Sequence, residues 1–206
     1  MVDFQERDTR RGIDDGGSEG ADESGDERDE GTPAEDHADH HHGTAGELGV
    51  AVLTVSSTRE AADDESGDAI AELCDGAGHE IATRDLVADD HDRIQKAVDT
   101  LTRRRDVDLV ITTGGTGVTP DDVTPEAVEP LFEKALPGFG ELFRRRSEAD
   151  VGTRIVATRA TAGIAGGVPV FCLPGSEAAV RLGTEEIVLE EADHLAHLAE
   201  RGHDEE

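Results

Sequence analysis

Lysine is almost missing from this chain: Lys96 and Lys134 are the only two among 19 basic residues, which face 49 Asp and Glu for a formal net charge of −30. Such a balance argues against a general DNA-binding or anionic-membrane protein, because the electrostatic term that dominates phosphate-backbone binding would have the wrong sign. Any nucleotide must therefore be met by a local site. Cysteine is scarce too. Cys74 and Cys172 lie far apart in apolar contexts, with no CxxC pair and no metal-ligand spacing, so they read as reduced core thiols. No apolar run approaches the roughly 18 residues of a membrane span. The N-terminus is acidic rather than basic and then apolar, so a cytoplasmic protein is expected.

What is abundant is carboxylate. An acidic, lysine-poor surface over an ordinary apolar pattern suits concentrated salt, where carboxylates hold water and cations while salt screens their repulsion. The chain reads as a halophile's protein, with an acidic surface in ordinary cytosol as the alternative. Residues 1–46 hold 15 Asp or Glu against 4 Arg and few large apolar side chains, too little to offset the entropy of ordering. This segment is expected to be a disordered arm. Its His37, His40, His41 and His42 fit either a transition-metal site or a solvated tail.

From Leu48 the pattern changes, and one domain is expected over 47–206. Leu48–Val55 is a continuous apolar run of strand length, Gly67–Ala77 has helical spacing, Ile81–Val87 is a second strand, Asp92–Arg104 a helix and Val107–Thr113 a third strand. Strands separated by helices imply a parallel sheet covered on both faces. Further helices are expected from Pro125, capped by Thr124, over Phe139–Arg146 and over Glu177–Leu189, with Ala192–Arg201 continuing or following the last. Val168–Leu173 is one more buried strand, and the remainder looks irregular.

The most informative segment is Thr112–Ala127, TTGGTGVTPDDVTPEA. It leaves a buried strand, turns through Gly114, Gly115 and Gly117, and enters a helix. Glycines there let backbone N–H groups approach a phosphate or a pterin, with Thr113 and Thr116 adding hydroxyls; a tight turn without a ligand is the plainer reading. Asp122 just beyond would repel an anionic ligand unless a divalent cation lay between, and Mg²⁺ is commonly held by one or two carboxylates plus substrate phosphates. Ser66 is a candidate helix cap at a helix start suited to an anion.

Taken in order, LTVS (Leu53–Ser56), DESG (Asp64–Gly67), TTGGTG (Thr112–Gly117), DVTPEA (Asp122–Ala127), PGFGELFR (Pro137–Arg144) followed by Ser147, TRATAG (Thr158–Gly163) and LPGS (Leu173–Ser176) resemble the MoaB/Mog family of molybdenum-cofactor biosynthesis proteins. The resemblance implies a three-layer αβα, Rossmann-like domain with a mostly parallel sheet, assembled as a homotrimer or homohexamer. It further implies a molybdopterin adenylyltransferase that joins AMP from Mg-ATP to the pterin's terminal phosphate. By position it makes Asp89 and Asp122 the catalytic, Mg²⁺-holding pair. Molybdopterin falls to Thr113, Gly114, Gly115, Thr116, Gly117, Ser147, Pro174, Gly175 and Ser176, and the nucleotide to Ser56, Asp64, Ser66 and Gly67. Asp121 departs from the family's loop and resembles the GPTxDD pattern of CinA-type domains. A CinA-like nucleotide pyrophosphatase and a non-catalytic molybdopterin-binding protein are therefore the alternatives.

Overall fold

Alternating side chains along three strands set the layering. In the computed structural model, which describes residues 46–57 and 63–200, β1 (Gly49–Val55), β3 (Leu109–Thr113) and β6 (Val168–Leu173) form the middle of a six-stranded sheet. Val50, Val52, Leu109, Ile111, Phe171 and Leu173 face one layer of helices, and Ala51, Leu53, Val110, Val170 and Cys172 face the other. Successive strand residues point to opposite faces, so strands apolar at every position must be covered twice. The expected three-layer αβα arrangement is what the chain adopts.

On the first face lie α1 (Glu65–Gly76), α4 (Pro137–Val151), α5 (Glu177–Gly183) and α6 (Leu189–Glu200). On the second lie α2 (His91–Leu101) and the short α3 (Thr124–Val128). The strand order is β2-β1-β3-β6-β5-β4, where β2 is Glu80–Val87, β4 Lys134–Ala135 and β5 Thr161–Ala165. β2, β1, β3 and β6 are parallel, while β5 runs antiparallel to β6 and β4 antiparallel to β5. Cys74 and Cys172 are free and buried on opposite faces, and burial pushes both thiols up to about 12.

Several local expectations are corrected. β5 and β4 fall in what the sequence reading left irregular. The run TAGIA is too small-sided to stand out, and its strand character comes from pairing with β6 through a two-residue turn, Gly166–Gly167, with φ of +58° and +77°, the conformation a tight hairpin requires. α1 starts at Glu65 and is capped by Asp64, whose Oδ1 accepts from the Gly67 amide at 3.0 Å; Ser66 is not the cap. In α3 the cap position is Val123, and Thr124 is already helical, with its hydroxyl engaged elsewhere.

The last two helices are joined without a break by a π turn at Thr184–Val188. Val180, Thr184, Val188, Ala192 and Ala196 are buried at every fourth residue. An α-helix would rotate that row by about 40° per step, and the wider turn takes up part of the drift. The acidic arm expected over 1–46, with its histidines, lies outside the described residues except for Gly46. Among the described residues no helix is long and apolar enough to cross a membrane.

Phe143 is fully buried on the α4 face, its ring tilted at 33° and 6.2 Å from Phe139, which meets Phe171 edge-on at 5.1 Å. Phe143→Ala is expected to cost about 3–5 kcal/mol, measured by denaturant unfolding in molar salt; a cost below 1 kcal/mol would contradict this packing.

Candidate active site

β1, β3 and β6 end side by side at one edge of the sheet, with Thr54 opposite Thr113 and Thr113 opposite Leu173. β2 lies on one side of β1 and β3 on the other, so the chain reverses its winding there and leaves a crevice beyond the strand ends. The glycine-rich loop occupies it. Gly114 has φ of +100°, its amide donates to the Leu173 carbonyl at 3.0 Å, and a Cβ would fall 2.2 Å from the Val55 carbonyl oxygen. Gly115 has φ of +65°, and a Cβ there would lie 2.3 Å from the Thr124 hydroxyl. That hydroxyl donates to the Gly114 carbonyl at 2.8 Å, and the Thr124 amide donates to the Gly115 carbonyl. Glycine is thus required twice, by φ and by close approach.

The same knot gathers residues from distant motifs. The Thr113 hydroxyl donates to the Pro174 carbonyl at 3.0 Å, Gly175 packs directly on Gly114, and the Ser66 hydroxyl donates to the Gly175 carbonyl at 2.9 Å. The DESG, TGGTG and LPGS segments therefore meet at one place. Ser176 is exposed at the start of α5, and its side chain makes no capping bond. Ser56 belongs to the same edge, its amide donating to the Val87 carbonyl.

Asp64 is buried, and both its oxygens serve the fold. Oδ1 takes the Gly67 amide; Oδ2 takes the Thr54 hydroxyl at 2.6 Å and lies 3.6 Å from the Arg84 guanidinium. A Cβ on Gly67 would collide with that carboxylate at 2.1 Å. Asp64 and Gly67 thus build the start of α1 at the crevice. Ser147 is buried on α4 with no hydrogen-bond partner for its hydroxyl.

Two carboxylates remain at this edge. Asp122 Oδ2 accepts from the Thr119 hydroxyl at 2.6 Å and the Thr119 amide at 2.8 Å. Burial works against its ionisation, but these bonds, one from the Gly117 amide and the nearby Arg159 outweigh it and hold the carboxyl below the ordinary carboxylate range. Asp89, beyond β2, accepts from the Ser57 amide at 2.6 Å and returns its own amide to the Ser57 hydroxyl at 3.2 Å. Both present hard oxygens, the donor type that Mg²⁺ takes. Among the described residues no group of three or more His, Cys, Asp or Glu is placed to hold a metal, so a cation at Asp89 and Asp122 would need substrate oxygens to complete its shell.

Arg159 was not singled out by the sequence reading, although it lies within the TRATAG motif. Its side chain reaches the carbonyls of Gly117 at 2.7 Å and Asp122 at 2.6 Å and pairs with Glu126. Two cavities lie elsewhere: one of about 530 Å³ by Leu131, Glu133 and Gly166 at the opposite edge, and one of about 410 Å³ between β2 and α2. No loop glycine lines either.

A family model described as a probable molybdopterin binding domain matches residues 51–194. The chain belongs to the MoaB/Mog family. Molybdenum cofactor biosynthesis protein B of Bacillus cereus is 43% identical over 145 residues, covering 70% of this chain and 86% of that protein. A crystal structure of a molybdenum cofactor biosynthesis protein B superposes with a TM-score of 0.74 at 40% identity, covering 77% of this chain and 99% of that one. A structure of the tungsten cofactor synthesizing protein MoaB from Pyrococcus furiosus does so at 0.67 and 38%, covering 76% and 99%. The glycine loop and the Asp122 turn lie inside the region that carries the MoaB/Mog match.

Two outcomes follow from this geometry. Gly115→Ala is expected to destabilise the protein by at least ~1–2 kcal/mol from the left-handed backbone alone, with the Thr124 clash in addition; an unchanged unfolding midpoint would contradict the tight turn. His91, in the first turn of α2, joins Asp92 at 3.1 Å through Nδ1 and the Glu126 carbonyl at 3.2 Å through Nε2. Both partners are acceptors, so only the imidazolium satisfies both, and the bond to Asp92 leads the causes that raise its pKa. A group raised on folding stabilises below its unfolded pKa and loses that contribution as pH rises through the folded value. NMR titration of His91 should give a midpoint above the ordinary imidazole value that falls in Asp92→Asn.

Proposed function

We propose that this protein acts in molybdenum-cofactor biosynthesis as a molybdopterin adenylyltransferase. The observation that carries the reading is the Asp122 carboxylate, held ionised by the Thr119 and Gly117 donors immediately beyond a glycine loop with room only for backbone. The names of its relatives as cofactor-biosynthesis proteins support the pathway; the reaction rests on the site.

In the proposed reaction an oxygen of the pterin's terminal phosphate attacks the α-phosphorus of ATP. A new P–O–P bond forms, the bond between the α- and β-phosphates breaks, and pyrophosphate leaves with the bonding electrons. Two anions must approach, so positioning and charge neutralisation carry the catalysis. The loop over Thr113–Gly117 would bind the pterin side with backbone amides, with Pro174, Gly175 and Ser176 forming the adjoining wall. The start of α1, with Ser56, Asp64, Ser66 and Gly67, would form the nucleotide side, where the positive end of a helix suits an anion. Asp89 and Asp122 would hold the Mg²⁺, whose charge offsets the meeting phosphates when it is bound. Ser147, whose buried hydroxyl has no partner within the protein, would serve the pterin side as well.

The test is a pyrophosphate-release assay with molybdopterin, ATP and Mg²⁺ at several salt concentrations. Wild type should release one pyrophosphate per AMP-pterin formed. Asp122→Asn should lower the rate by roughly 100-fold or more while keeping molybdopterin affinity within a few-fold. An active Asn variant would remove Asp122 from the role, and a wild type that binds molybdopterin without releasing pyrophosphate would make the protein a carrier.

A further inference from the structure

The segment from Gly117 to Asp122 has little of its own to hold it. Val118, Thr119, Pro120 and Asp121 are exposed. The bonds within the segment run from the Thr119 amide and hydroxyl and the Gly117 amide to the Asp122 side chain, and from the Asp122 amide to the Thr119 carbonyl. These shape the turn but do not fix it to the domain. One side chain does so from outside. Arg159, two residues before β5, donates through Nε to the Gly117 carbonyl and through Nη2 to the Asp122 carbonyl, bracketing the turn at both ends. Its Nη1 pairs with Glu126 in α3, and its backbone amide donates to the Thr116 carbonyl at 3.0 Å. One guanidinium thus ties the exit of the glycine loop, the carboxylate-bearing turn and the helix behind it to the sheet.

We propose that Arg159 is a positioning residue: its planar fork spans the Gly117 and Asp122 carbonyls and so fixes where the Asp122 carboxylate stands relative to the glycine loop. The fork geometry matters, because a lysine ammonium carries the same charge but cannot hold two carbonyls and a carboxylate in one plane. The charge matters as well. The turn carries Asp121 and Asp122 with Glu126 close behind, and Arg159 is the one cationic side chain bonded to its carbonyls among the described residues. It lets an acidic turn stay folded beside a site for anions. The argument that the positioned carboxylate serves adenylyl transfer rests on the function proposed above; the bracketing itself does not.

The experiment separates the two. Amide hydrogen exchange over residues 114–123, with no ligand, is compared in wild type, Arg159→Ala, Arg159→Lys and Glu126→Gln, alongside kcat, KM and the thermal midpoint. In Arg159→Ala the Asp122 amide should exchange at least about tenfold faster while β1 and β3 keep their protection, and kcat should fall roughly 100-fold, as expected when a reacting group is misplaced by an ångström. Arg159→Lys should restore little of either. Glu126→Gln, which keeps both carbonyl bonds, should change each less than about threefold. Millimolar guanidinium should recover part of the Arg159→Ala rate, which a loss of general stability would not allow. If Arg159→Ala fails to fold, Arg159→Lys carries the same comparison. Unchanged exchange at Asp122 in the variants would overturn the proposal, as would a Glu126→Gln loss equal to that of Arg159→Ala. A wild type without transferase activity but with this exchange pattern would refute the function and leave the bracketing standing.

Discussion

The site depends on how closely the backbone of Gly114 and Gly115 packs between three strand ends. Val55 from β1 leaves no room for a Cβ at Gly114, Thr124 leaves none at Gly115, and Gly175 from beyond β6 rests on Gly114 itself. The Gly114 amide and carbonyl are spent on Leu173 and Thr124. This contact sets the direction in which the chain leaves β3, and with it the placement of Thr116, Gly117 and the Asp122 turn. It also explains how motifs as distant as DESG and LPGS come to share a hydrogen bond through Ser66 and Gly175. A loop this tightly seated presents its remaining amides as a fixed surface, which suits recognition of a rigid anionic ligand without reordering at the moment of binding.

Charge is the second organising constraint. A chain of net charge −30 with the function proposed above has to separate its carboxylates by task. Asp64 is turned inward and satisfied by Thr54, the Gly67 amide and Arg84, so it caps a helix. Asp122, just beyond the glycine loop, is held below the ordinary carboxylate range by the Thr119 and Gly117 donors and the nearby Arg159. Glu126 is matched by Arg159. Three acidic residues in adjoining motifs thus have three physical roles, and residue type alone does not distinguish them.

That division marks what was legible beforehand. The three central strands were read from unbroken apolar runs because burial on both faces leaves no other pattern, and the loop was read because only glycine tolerates its backbone. β5 was missed because its residues are small and its identity comes from a partner strand. Ser66 and Thr124 were read as caps by position, but a cap is decided by which amide the side chain reaches, and both hydroxyls reach carbonyls across the crevice instead. Arg159 went unremarked because two of its side chain's three partners are main-chain carbonyls about forty residues earlier in the chain, which carry no side-chain signature.

The central claim is that the crevice at the ends of β1, β3 and β6 is where this protein meets its pterin. Amide chemical-shift mapping on addition of molybdopterin in molar salt tests it most directly. The account predicts perturbations concentrated on Thr113, Gly114, Gly115, Thr116, Gly117 and Gly175. Perturbations centred instead on Thr102, Leu131 and Gly166, at the opposite edge of the sheet, would contradict it.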